Sequence, residues 1–232
     1  MKINDCKIYG YLLKLNQPLS IGGENLKRRE GFIISLSSSE GVEGFGDIAP
    51  LPGFSRETLG EVLEQIKLLK SYLPTQIIEK KLMKFDGAFE EWLGPLRLAP
   101  SLRFGLESAI IHLFANVEEI PFYKMIPTAF QHQVRIAGLL SGSIKEITVQ
   151  TKELIDQGFT DLKLKVGGDV DEDIEKVLRI NHVAYGKALL HLDANQKWSF
   201  REAVSFGKAI GCAATGFQYF PVLCRYGLCV LR

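Results

Sequence analysis

Two lysines alternate with apolar residues in the stretch Asp161-Leu162-Lys163-Leu164-Lys165-Val166-Gly167-Gly168. In a strand, residues two apart point to the same face. Lys163 and Lys165 therefore share one face, and Leu162, Leu164 and Val166 share the other. A second polar pair, Asp193 and Asn195, closes another apolar run, Ala188-Leu189-Leu190-His191-Leu192. Inner positions of a parallel sheet or barrel normally hold Val, Ile or Leu, so two ammonium groups there need a purpose. The plain alternative is a solvated edge, where lysines block edge-to-edge pairing. For Asp193 and Asn195 the plain alternative is turn chemistry between a strand and a helix.

A carboxylate on one strand and two lysines on the next combine as a metal ligand and an acid/base pair. Magnesium prefers oxygen ligands and needs more than one carboxylate or substrate oxygen to hold it. A metal beside two lysines lowers their pKa by like-charge repulsion, so that one serves as a base near neutral pH. Such a site suits abstraction of a proton α to a carboxylate, with the metal stabilising the enediolate that forms.

The elements that would position these groups follow from periodicity. Residues 134–140 read as a strand, 143–157 as a helix, 161–166 as the lysine strand and 170–183 as its helix. Residues 188–193 read as a third strand, and Ser199-x-x-Glu202 is a capping box that starts a helix over 200–210. Three strand–helix units in succession argue for a parallel sheet or a (β/α) barrel. In barrels, function sits at the carboxyl ends of the strands, where Lys163, Lys165, Asp193 and Asn195 fall.

The residues before this region have a different rhythm. Residues 2–14, 31–36 and 42–47 alternate as three strands, with 16–30 between the first two as a loop ending in Lys27-Arg28-Arg29. That loop is either a solvated turn or a flap that meets an anionic substrate. Pro50, Pro52 and Gly53 fix 48–55 as an ordered, non-helical loop, with Ser55 as N-cap of a helix over 57–72. Helices at 76–85 and 88–93 and a strongly apolar one at 101–115, opened by Pro100, complete an α+β unit. His112 in the last helix reads as a core or surface residue, because no partner for a metal stands at helical spacing.

Composition bounds the possibilities. The chain has 232 residues, a formal charge of +1 and 46% hydrophobic residues, which is globular and gives no electrostatic reason to propose a nucleic acid or membrane partner. No apolar run reaches the roughly 18 residues of a membrane span, and the N-terminus has no signal-peptide pattern. Cys6, Cys212, Cys224 and Cys229 show no Cys-x-x-Cys spacing, so a reduced, cytoplasmic protein is expected.

Several of these stretches, in this order, resemble the enolase superfamily and, within it, the o-succinylbenzoate synthases of its muconate-lactonizing-like subgroup. Gly44-Phe45-Gly46-Asp47-Ile48-Ala49-Pro50-Leu51-Pro52-Gly53-Phe54-Ser55 looks like that group's capping-domain loop. Ser101-Leu102-Arg103-Phe104-Gly105-Leu106-Glu107-Ser108-Ala109 looks like its domain-joining helix. Lys163-Leu164-Lys165 is similar to the superfamily's Lys-x-Lys motif, and Leu192-Asp193-Ala194-Asn195 to its first metal-ligand motif. The resemblance implies an α+β capping domain over 1–133, followed by the first three units of a TIM-type, (β/α)7β-like α/β barrel over 134–210.

The resemblance also implies roles. Lys165 would be the acid/base and Lys163 an electrostatic partner that neutralises enediolate charge. Asp193 would be the first Mg2+ ligand, with Asn195 beside it. The loops at Gly22 and at Leu51 to Phe54 would close over a small-molecule carboxylate substrate. The implied reaction is dehydration of a succinyl-hydroxy-cyclohexadiene carboxylate to o-succinylbenzoate, in menaquinone or phylloquinone biosynthesis. The alternative on the same scaffold is an N-acylamino acid racemase or dipeptide epimerase. His191 departs from the Arg found there in many members.

After Ile210 the resemblance stops. Residues 211–232 hold three of the four cysteines and no acidic residue, without period 2 or 3.6. The family continues with a Glu ligand, an Asp ligand and a later lysine. The expectation is therefore an aberrant, out-of-frame or premature tail on a truncated, incomplete barrel, with little or no activity. An inactive fragment is the reading from outside enzymology, and a divergent but real C-terminal segment is the bland one.

Overall fold

The computed structural model describes residues 1–21, 24–126, 131–195, 197–213 and 228–231, apart from the side chains of Gln17, Ser20, Thr75, 212–213 and 228–231. The chain divides into two compact units, Met1–Phe130 and Gln131–Arg232.

The first unit opens with β1 (Ile3–Ile21) and β2 (Glu24–Ser38), an antiparallel pair, and β3 (Glu43–Ile48) adds antiparallel to β2. The residues at 16–30 are thus mostly strand, not loop. β1 pairs with β2 from Ile3↔Ser38 out to Ile21↔Glu24, with an irregularity between Lys14 and Leu19 near Pro18. The hairpin's polar residues and its proline hid its strand character. The pattern of apolar alternation fails there because these residues pack against little: Leu12, Leu13 and Leu19 are all exposed.

Helix α1 (Leu59–Tyr72) starts at Thr58, not at Ser55. The Thr58 side chain accepts the Glu61 amide while the Glu61 carboxylate accepts the Thr58 amide, a capping box. Ser55 instead uses its hydroxyl to accept the Leu51 amide at 2.9 Å. Residues 76–85 form no α-helix; a 3-10 turn at Lys80–Lys84 stands there, ended by Phe85 in the left-handed region. A short helix, α2 (Ala88–Leu93), and α3 (Pro100–Val117) follow. Leu102, Leu106, Ala109, Ile110 and Leu113 of α3 are fully buried with Ile34, Leu36 and Ile48 of the sheet.

The second unit alternates strands and helices: β4 (Gly138–Leu140), α4 (Ile144–Asp156), β5 (Asp161–Lys165), α5 (Val170–Ala184), β6 (Leu189–Asp193) and α6 (Phe200–Ala213). Ser143 with Glu146 and Ser199 with Glu202 form capping boxes, and Asp169 caps α5. β4, β5 and β6 are parallel neighbours. β4 is shorter than its sequence suggests. Residues 133–137 are not strand, and Val134 and Ile136 are over 70% exposed. One face of the sheet, with Leu140, Leu162, Leu164, Leu190 and Leu192, is buried under Ile147, Val177, Ile180, Phe206 and Ile210 of the helices. This layering is that of an incomplete α/β barrel following an α+β capping domain.

Of the segment expected to be aberrant, residues 214–227 and Arg232 lie outside the described residues. Leu228–Leu231 form β7, antiparallel to β6 with Leu228 opposite Asp193. A (β/α) barrel would place a parallel strand at that edge. No helix among the described residues is long and apolar enough to cross a membrane.

Candidate active site

Strand period puts Lys163 and Lys165 on the sheet face away from the helices, opposite the buried Leu162 and Leu164. β6 does the same for His191 and Asp193. The parallel register sets Leu139 beside Lys163, Lys163 beside His191, and Lys165 beside Asp193. Lys163 Nζ reaches diagonally to Asp193 Oδ2 at 2.8 Å. The other carboxylate oxygen accepts the backbone amide of Asn195 at 3.0 Å. Asn195 sits in the left-handed region (φ 46°), a conformation Asn tolerates. Burial pushes the Asp193 carboxyl upward. The Lys163 ammonium, the Asn195 amide and the field of Lys165 outweigh this and hold it below its ordinary value.

A second polar pair on this face was missed in the sequence. His191 Nε2 lies 2.9 Å from Asp161 Oδ1, and Thr160 donates its hydroxyl to Asp161 Oδ2 at 3.0 Å. The bond to His191 is the main cause that holds the Asp161 carboxyl below its usual range, against the opposing effect of burial. The Arg135 guanidinium stands 3.9 Å away. The signal in sequence was only that positions 161 and 191 share the polar parity of the two strands. Which residues meet depends on register, which periodicity does not give.

The loop residues singled out in sequence belong to the first unit. Leu51 is half-buried, whereas Phe54 is 63% exposed. Gly22 and Gly23 lie outside the described residues. Arg29, at the basic end of the hairpin, donates to the carbonyls of Ala49 and Pro50, the latter at 2.7 Å, and so ties this loop to β2. Nearby, the Tyr11 hydroxyl donates to Asp47 at 2.9 Å. His112 is structural: its Nδ1 accepts the Phe45 amide at 3.1 Å.

A divalent cation would find one oxygen donor of the right kind in Asp193. Both of its carboxylate oxygens already have partners, and the described residues contain no group of three metal-ligating side chains. Magnesium is held by one or two carboxylates together with waters and substrate oxygens, so among the described residues Asp193 supplies one ligand and not a complete magnesium site.

Residues 3–113 match the family described as "MenC, N-terminal domain", and residues 146–220 match "Enolase C-terminal domain-like". The second match runs past Ile210, where the sequence resemblance was expected to stop. The chain is 28% identical over 211 residues to an o-succinylbenzoate synthase of Aliivibrio salmonicida, covering 88% of this chain and 54% of that protein. It is 26% identical over 213 residues to a hydrophobic dipeptide epimerase of Enterococcus faecalis, covering 90% and 58%. It is 29% identical over 211 residues to the chloroplastic protein PHYLLO of Arabidopsis thaliana, covering 84% of this chain and 12% of that one.

Among solved structures, the Enterococcus faecalis dipeptide epimerase complexed with Mg and the dipeptide L-Leu-L-Tyr superimposes with a TM-score of 0.77 at 24% identity, covering 92% of this chain and 59% of that one. The Bacillus subtilis L-Ala-D/L-Glu epimerase gives 0.78 at 23%, with the same coverage. The chain thus spans little more than half the length of these synthase and epimerase relatives. With a MenC N-terminal match over residues 3–113 and an enolase C-terminal domain-like match over 146–220, which together cover most of the chain, the chain belongs to the enolase superfamily.

Proposed function

We propose that this chain carries part of the active site of an enzyme that moves a proton α to a carboxylate. Lys165 is the acid/base, Lys163 its electrostatic partner, and Asp193 one oxygen ligand for Mg2+. The observation that carries this reading is the set of neighbours at adjacent strand ends: Lys165 beside Asp193 in register, and Lys163 paired with Asp193 at 2.8 Å. A lysine at that position can exchange a proton with a substrate carbon on the open face, and Lys163 can neutralise the negative charge that then develops. A bound divalent cation would add charge stabilisation at the substrate carboxylate. Its remaining ligands would have to come from outside the described residues.

The specific reaction we favour is the o-succinylbenzoate synthase dehydration, a carbon–oxygen lyase step. The match of residues 3–113 to a MenC N-terminal domain supports it, as does the sequence of the Pro50–Ser55 loop. A second reading, a dipeptide epimerase, is favoured by relatives of that kind at similar identity. Both readings call for a small-molecule carboxylate substrate.

A paired assay tests both. The protein is incubated in magnesium with the cyclohexadiene substrate and, separately, with hydrophobic dipeptides, beside a Lys165→Ala control. Dehydration that the control lacks supports the synthase; epimerisation that it lacks supports the second reading. Isothermal titration with magnesium, beside Asp193→Ala, is run in parallel. If there is neither turnover nor Asp193-dependent binding, both readings fail for this chain and an inactive fragment remains.

A further inference from the structure

The carboxylate of Asp173, on the first turn of α5, is 4% exposed. One of its oxygens, Oδ2, accepts two backbone amides at once, Gly167 at 2.8 Å and Gly168 at 2.9 Å. These two glycines form the turn directly after Lys165 and Val166. Burying a carboxylate is costly unless it is hydrogen-bonded, and charge-assisted bonds to backbone amides are strong ones. Lys176 stands 3.9 Å from the other oxygen.

The same turn is also held from the β6 side. The Val166 amide donates to the Asp193 carbonyl at 3.0 Å. Gly167 has φ 105°, and a Cβ there would come 2.8 Å from the Ala194 carbonyl and 2.9 Å from Lys197 Cβ, so the two loops are in direct backbone contact. The indole N–H of Trp198 donates to the Gly168 carbonyl at 3.4 Å, a long bond. Trp198 in turn packs on Phe206 of α6, ring centroids 4.3 Å apart.

We propose that Asp173 is a positioning residue whose clamp on Gly167 and Gly168, completed by Trp198, locks the turn after Lys165 to the loop after Asp193. The clamp sets where the two lysines stand relative to Asp193. Without it, the Gly167 and Gly168 amides lose their acceptor, and the turn keeps the Val166–Asp193 backbone bond and the long bond to Trp198. The strand end that carries Lys165 then frays, and the Lys163–Asp193 contact loosens with it. The consequence for turnover rests on the roles proposed for Lys165 and Asp193. The geometric claim does not, and the experiment below reads geometry.

The lysines are reductively methylated with 13C, and the Lys163 and Lys165 resonances are assigned with single Lys→Arg variants. Amide exchange is followed over 166–168 in the same samples. Asp173→Leu removes the acceptor at similar volume. Asp173→Asn keeps a carbonyl oxygen with two lone pairs, which can accept both amides. Trp198→Phe keeps an aromatic ring against Phe206 and removes the donor.

In Asp173→Leu we expect exchange at Gly167 and Gly168 to rise about tenfold or more, and the Lys163 resonance to move toward its position in Asp193→Ala. Asp173→Asn restores both, and Trp198→Phe shifts the lysine resonances with little change in thermal midpoint. The proposal is overturned if Asp173→Leu lowers the midpoint yet leaves exchange and lysine resonances unchanged. If that variant does not fold, Trp198→Phe decides: unmoved lysine resonances overturn the clamp. No step uses turnover, so a failed functional reading leaves this result intact.

Discussion

Lys163 Nζ lies 2.8 Å from Asp193 Oδ2, while the residue beside Asp193 in register is Lys165. One carboxylate therefore answers two ammonium groups. The side chains of Lys163 and Asp193 are 36% and 18% exposed, so the pair is partly screened. Removing the lysine leaves a half-buried carboxylate with only the Asn195 amide and the field of Lys165. We expect Lys163→Met to cost about 1 kcal/mol. The double variant Lys163→Met with Asp193→Asn should cost less than the two singles summed, because each single leaves one charge of the pair uncompensated and the double leaves neither. Urea unfolding in a Trp92→Phe background, where Trp198 alone reports, measures both.

The acid behaviour of the second unit follows from the same face. Asp161 and Asp193 both titrate below their ordinary value, Asp161 chiefly through its bond with His191, Asp193 through Lys163 and the Asn195 amide overcoming burial. A carboxyl depressed in the folded state contributes stability above its unfolded pKa, about 3.9, and loses it as pH falls through the folded value. The contribution of these two groups is therefore flat from pH 7 to 5 and declines below about pH 4. Trp198 fluorescence in an acid titration should show the loss there. Asp161→Asn should remove part of it and leave the behaviour above pH 5 that these carboxylates govern unchanged.

The lysine strand and Asp193 were legible because period 2 is a local signal. Alternation alone assigned Lys163 and Lys165 to one face, and capping chemistry at Ser199 and Glu202 gave the next helix. Contacts set by register were not legible. Asp161 and His191 are 30 positions apart and meet only once β5 and β6 pair. Asp173 was hidden among Asp169, Asp171 and Glu172, an ordinary acidic first turn in which one side chain happens to turn inward. The hairpin at 16–30 was misread because Pro18 and a basic run look like a loop, although backbone pairing carries the strands through.

Arg29 should control the order of the loop that holds Leu51 and Phe54. Its guanidinium fork bridges two consecutive carbonyls, Ala49 and Pro50. A bond from a charged donor contributes roughly 1.5–3 kcal/mol, and a lysine cannot span both acceptors with a rigid fork. In Arg29→Met we expect chymotryptic cleavage after the exposed Phe54 to speed up about tenfold, with Arg29→Lys in between. Equal cleavage rates in all three proteins would mean that Leu51, Pro52 and the Ser55 hydroxyl hold the loop without Arg29.

The capping unit should be most sensitive where β3 meets α3. Gly44 and Gly46 are buried on the same face of β3. A Cβ on Gly46 would run into the Gly105 carbonyl, and one on Gly44 into the Ala109 carbonyl and the Leu113 backbone. Gly105 meets β3 in the same way, against Ile48 and the Asp47 carbonyl. The obstacles are backbone atoms of a buried helix, so no side chain can swing aside, and the cost lies at or above the top of the usual range for overpacking, about 3 kcal/mol. The same substitution has the opposite sign at Gly60, near the start of α1, where a Cβ meets nothing closer than 4.0 Å. There Ala gains helix propensity, up to about 1 kcal/mol. We therefore expect Gly46→Ala to lower the thermal midpoint of the first unit sharply and Gly60→Ala to raise it slightly. If Gly46→Ala were neutral, strand and helix would have room to move apart, and the close β3–α3 contact would not be what holds the unit together.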